Sequence, residues 1–122
     1  MHLYSTGQGP NAGSGSENSA VVSKVPAAVL LAAARNFDTT NAKTVMLFDA
    51  TSVPGDGTPP VLAVDIGAAP SATQAADSSI ALPSGGVMFT KGVVICLSKT
   101  AKFLTLDTGG PNGFFQVHVG EG

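Results

Sequence analysis

From Ser19 to Val119 the chain alternates short apolar runs with clusters of Gly, Pro, Asn, Asp and Ser, at a spacing of roughly ten residues. That spacing is too short for a run of ordinary helices and matches strands joined by turns. It predicts an all-β fold, an antiparallel β-sandwich of jelly-roll or immunoglobulin-like type with about seven to nine strands. A chain of 122 residues can build one such core without covalent staples. Residues 19–122 are therefore read as a single β-sandwich domain. Residues 1–18, with Gly7, Gly9, Pro10, Gly13 and Gly15 among Ser, Asn and Gln, read as a flexible N-terminal arm.

Several strands and turns can be placed individually. Val45–Phe48 runs toward Val53-Pro54-Gly55-Asp56-Gly57, where Pro54 presets φ, Gly55 supplies the positive φ of a type II turn, and Asp56-Gly57 adds a second turn signal. Leu62, Val64 and Ile66 share a strand face by the two-residue period. Gly67–Ser79 reads as a long polar loop. After it come Ile80-Ala81-Leu82, the turn Pro83-Ser84-Gly85-Gly86, Val87–Phe89, then Val93–Leu97 and a candidate strand over Lys102–Leu106. In the last strand Phe115, Val117 and Val119 point inward. Pro26–Arg35 has helical propensity and a proline suited to a first helical turn. It is open to either reading, and the β character of everything after it favours a strand.

Charge is the compositional outlier. Charged residues make up 11% of the chain and the net charge is −2, so the clustered Lys and Arg of a nucleic-acid surface are missing. No basic start followed by an apolar run marks a secretory signal in Met1–Ser19. The longest apolar stretch, Val25–Ala34, falls short of the roughly 20 residues of a spanning helix. Neither a nucleic-acid nor a membrane partner is expected. Val45–Phe48 and Val93–Leu97 are apolar on both faces, which predicts central strands whose second face is covered by a loop, another sheet or a neighbouring subunit.

Candidate chemistries find little support. Gly7-Gln8-Gly9-Pro10-Asn11-Ala12 fits the dinucleotide fingerprint in letters, but no strand precedes it. His2, His118 and Cys96 do not have zinc-ligand spacing. Cys96 reads as a small buried hydrophobe and His118 as a surface residue beside Gln116, with a Cys–His pair between them the catalytic alternative. Asp49, Asp56, Asp65, Asp77 and Asp107 match no EF-hand loop, and turn chemistry on the local backbone is favoured over a calcium ion held between loops. A sugar-binding sandwich would offer flat aromatic rings. This chain has no Trp and one Tyr, Tyr4, and its six Phe read mostly as core. No catalytic, cofactor-binding or metal-ligating set is expected, and no enzyme activity.

Leu47-Phe48-Asp49, Asp56-Gly57-Thr58-Pro59-Pro60-Val61-Leu62, Gly86-Val87-Met88-Phe89, Gly92-Val93-Val94, Ser98-Lys99-Thr100 and Leu104-Thr105 follow one another in an order that resembles a family of small β-sandwich proteins of tailed-bacteriophage virions. The resemblance implies a non-enzymatic virion structural protein, a capsid decoration or cement protein that binds the major capsid protein and stabilises the head shell. A collar, tail or appendage component, including a receptor- or glycan-binding module, is the alternative. It also implies a homo-oligomer located in the virion and assembled in the host cytoplasm. A charge-poor body and an extendable arm suit a subunit repeated in a symmetric assembly.

Overall fold

The computed structural model describes residues 2–5, 18–107 and 113–121. They form nine strands: β1 (His2–Ser5), β2 (Ser19–Ser23), β3 (Ala27–Asn36), β4 (Lys43–Phe48), β5 (Leu62–Ile66), β6 (Ala76–Ile80), β7 (Val87–Phe89), β8 (Val93–Ser98) and β9 (Gly113–Glu121). Every strand pairing is antiparallel. Among the described residues no helix is long and apolar enough to cross a membrane. The strands make two packed sheets, the sandwich expected from the turn spacing. One sheet has the order β1-β9-β3-β6, with β7 also on β3, and the other β2-β8-β4-β5.

Of Pro26–Arg35, all but Pro26 lies in the strand β3, the longest among the described residues. Its register on β9 shifts between Val29 and Leu31, which makes Leu30 an extra residue. The bulge changes which side chains face inward. Before it Ala27 and Val29 are buried, after it Ala32, Ala34 and Asn36, and Leu31 is left 44% exposed. This is what a β-bulge does, because side chains alternate strictly and one added residue reverses the faces.

Between the sheets lie Val29, Val45, Leu47, Phe89, Ile95, Leu97, Phe115, Val117 and Val119, each less than 2% exposed. Burying such a side chain contributes about 1.5–3 kcal/mol. β9 alternates as expected, with Phe115, Val117 and Val119 inward. β5 does likewise, with Leu62, Val64 and Ile66 on the core side.

The doubly apolar runs are the central strands β4 and β8, and the cover for their second face is the chain's own. Met46, Phe48, Val94 and Cys96 pack beneath Leu104, with Val21, Ala50 and Leu106 at the margin. The covering segment, residues 99–107, is tied down by Leu104 N–H to Thr58 O (2.8 Å), Gly57 N–H to Leu104 O (2.7 Å) and Leu106 N–H to Asp56 Oδ1 (2.9 Å). No second subunit is needed to explain these strands.

Four expectations change. His2–Ser5 is not coil but an edge strand on β9, where backbone pairing to a sheet edge outweighs a polar setting. The rest of the arm, residues 6–17 with Gly7–Ala12, lies outside the described residues. The polar loop ends earlier than Ser79, because Asp77 and Ser79 occupy the outward positions of β6, where polar side chains belong. Lys102–Leu106 is no strand. A single bridge joins Ser98 to Leu106, while the Ser98 hydroxyl takes the Thr105 N–H and donates to Thr100 O. Finally, the positive φ of the 53–57 turn falls on Gly57 (+94°) rather than Gly55, in a turn closed by Thr58 N–H to Gly55 O.

Candidate functional site

The outward face of the first sheet is open to solvent, with Leu31, Arg35, Asp77, Ser79, Met88 and Gln116 exposed. β3, β6, β7 and residues 113–120 of β9 supply two formally charged side chains, Arg35 and Asp77. The face changes character along β3, from an apolar stretch at Ala28–Leu31 to a polar one at Ala33–Arg35. Met88 (49%) is exposed where β7 meets β3, Leu31 (44%) is exposed midway along β3, and Val25 (63%) lies beside Lys24 in the connection that precedes β3. Leu31 owes its outward position to the bulge, and Met88 stands opposite Ala28.

Along the polar stretch the register sets two rungs side by side. Asp77, Arg35 and Phe114 form one, on β6, β3 and β9, and Ser79, Ala33 and Gln116 form the next. Arg35 Nε lies 3.4 Å from Asp77 Oδ1, and its guanidinium carbon 6.0 Å from the centre of the Phe114 ring. A groove of about 390 Å³ runs over these residues. A second, of about 370 Å³, reaches Pro70, Thr73 and Gln74 and shares Arg35 and Asp77 with the first.

Buried polar groups gather instead at one end of the core. Lys43 starts β4 on the same face as Val45 and Leu47, so its ammonium lies between the sheets. It meets Asp107 Oδ2 at 3.0 Å and Asp38 Oδ2 at 3.1 Å. Burial pulls Lys43 downward, but the two carboxylates outweigh it and its pKa is raised. Asp38 accepts N–H bonds from Thr40 and Asn41, and these, helped by Lys43, hold it at about 2 against the desolvation. Asn36, fully buried, donates to Asn41 O and Gly67 O and accepts from the Asp38 N–H. Every group in this plug has a partner, which marks it as structural.

The five aspartates singled out from the sequence are dispersed, and the side-chain partners seen for Asp49, Asp56, Asp65 and Asp77 lie outside their own turns. Asp49 reaches across to the β7–β8 connection and accepts from Thr90, Lys91 and Gly92 N–H and the Thr90 hydroxyl. Burial pushes it up, yet these donors bring it to about 2. Asp56 holds Leu106, Asp65 accepts from the Thr44 hydroxyl, Asp77 pairs with Arg35 and Asp107 with Lys43. The local turn belongs to Asp38, whose spacing to Thr40 and Asn41 carried that signal unread. Among the described residues no three of His, Cys, Asp and Glu gather closely enough to share a metal ion.

Cys96 and His118 do not meet. Cys96 lies beneath Leu104 on the outer side of the second sheet, where burial pushes its thiol up to about 12. His118 alternates with the inward Val117 and Val119 and so faces outward from the first sheet. The whole core separates them. Of the six Phe, Phe48, Phe89 and Phe115 are core, whereas Phe37 and Phe103 are exposed and Phe114 is half-buried beside Arg35. Comparison with protein-family models, curated proteins and solved structures finds no match to this chain.

Proposed function

We propose that this protein is a non-enzymatic structural component of a bacteriophage virion, a decoration or cement protein that seats on the head shell and stabilises it. One observation carries the reading beyond the resemblance in strand and turn motifs. The first sheet exposes Leu31 and Met88 on an outward face whose described strands carry only Arg35 and Asp77 as formal charges. Solvated surfaces usually carry more charge, and an apolar rim on a charge-poor face suits contact with a shell subunit or another copy. Each contact is small, and repetition over a symmetric lattice multiplies it.

The test is to produce virions from the genome that carries this chain, with the chain labelled, and image the label. Density distributed over the head supports the proposal, and Leu31→Lys with Met88→Lys lowers the occupancy. Label confined to the collar or tail supports the appendage reading. Virions that lack the chain altogether overturn both.

A further inference from the structure

We infer that the groove around Arg35 and Asp77 binds a neutral oligosaccharide. This goes beyond shell binding and uses the polar half of the same face. Its floor is Ala33, a methyl group set between Ser79 and Gln116 in register, so a trough opens between two longer polar side chains. Its end wall is the Asp77–Arg35–Phe114 rung. The volume is in the range of small-ligand sites.

The chemistry of the walls selects the ligand class. Arg35 carries five N–H donors, and its Asp77 contact is through Nε, which leaves the planar Nη fork available. Asp77, 71% exposed at the side chain, keeps acceptor capacity. The Ser79 hydroxyl and the Gln116 amide each donate and accept. Phe114 adds apolar ring surface. The two formal charges cancel across 3.4 Å, so the groove gives no net field to collect an anion or a cation. What remains is a demand for alternating donors and acceptors at close spacing beside C–H surface, and a hydroxylated ring meets it. The second groove shares Arg35 and Asp77 and continues past Thr73 and Gln74. A ligand with more than one ring can therefore straddle the ion pair. The open shape suits a chain that enters from the side.

The experiment is a titration of the full-length, isotope-labelled protein with maltohexaose, cellohexaose and chitohexaose, and with an oligogalacturonate as the anionic comparison. Amide shifts are followed residue by residue. At least one neutral hexamer is expected to move amides at 33–35, 77–79 and 114–116 with a Kd of about 1 mM or tighter. Arg35→Met and Gln116→Ala should each weaken binding by about tenfold, with the remaining amide spectrum confirming the fold. Phe114→Ala, and the milder Phe114→Leu should Ala disturb β9, test the ring. No shift with any neutral hexamer, shifts confined to another surface, or tighter binding of the oligogalacturonate would overturn the inference. Shell occupancy does not enter this measurement, so either proposal can fail alone.

Discussion

Lys43 Nζ stands 3.0 Å from Asp107 Oδ2, and both side chains are almost fully buried, at 4% and 2% exposure. The contact joins the start of β4 to the end of the segment that covers the second sheet. Asp107 N–H bonds Leu97 O, and Asn18 reaches Asp107 O at 2.7 Å. One ammonium therefore gathers the entry to β2, the covering segment and the Asp38 turn at one end of the sandwich. At the opposite end of β3 the exposed Met88 stands beside Ala28.

Lys43→Met should cost about 3–5 kcal/mol in urea unfolding, because it strands the Asp107 carboxylate without its partner charge. Adding Asp107→Asn should recover part of that loss, since the stranded charge goes with it. The pH dependence has a definite sign. Lys43 has its folded pKa raised above 10.5, so its contribution is fully present below that value and disappears as pH rises through the folded one. The alkaline limb of wild-type stability should be shallower in Lys43→Met, and what remains belongs to Cys96, whose raised thiol pKa also makes stability fall as pH rises above 9.

The two sheets were legible because most strands keep the two-residue period and most turns carry their usual residues. Val87, Val93 and Phe115 needed nothing more. β3 resisted because the Leu30 bulge breaks its period: Val29 and Ala32 are both inward, three residues apart, a spacing that reads as helical. β6 was hidden by composition, because an edge strand with Ser78 and Ser79 carries too little hydrophobic signal to stand out from a loop. The Arg35 grooves depend on a register between residues 42 apart (Arg35 and Asp77) and 79 apart (Arg35 and Phe114), and no local pattern encodes that. Lys43 carried a faint sign, a lone cation ahead of an unbroken apolar run.

Asp49 should govern part of the acid limb. Its folded pKa of about 2 lies below the ordinary 3.8, so its stabilisation is full above the ordinary value and is lost as pH falls through it toward 2. Asp49→Asn should lower the melting temperature at neutral pH, where the charge-assisted bonds to Thr90, Lys91 and Gly92 are lost. It should also give a shallower fall between pH 4 and 2 than the wild type, by thermal unfolding across a pH series. An equally steep fall in the variant would assign the acid limb to other carboxylates, Asp38 first among them.

Gly92 lies where two backbones converge. A Cβ built there would sit 2.5 Å from both Ala50 O and Ser23 O, neither of which can rotate away. Gly92→Ala should destabilise by about 1–3 kcal/mol through forced backbone displacement. Gly55→Ala is the matched comparison, because nothing lies within 4 Å of its Cβ position and its φ is not positive. It should be neutral or slightly stabilising, since it removes freedom from the unfolded chain.

Leu104 is the side chain that seals Cys96. It is fully buried over Met46, Phe48, Val94 and Cys96, and its backbone is held by Thr58 and Gly57. Leu104→Ala should cost about 2–5 kcal/mol and leave a cavity directly above the thiol. In the wild type the thiol is fully buried with a pKa of about 12, so a thiol reagent at neutral pH should react only through unfolding. In Leu104→Ala the reaction should outpace global unfolding, measured in parallel by circular dichroism, because opening residues 99–107 alone then suffices. Equal acceleration of both rates would mean that the covering segment opens only with the whole sandwich, and that the second sheet has no separately removable cover.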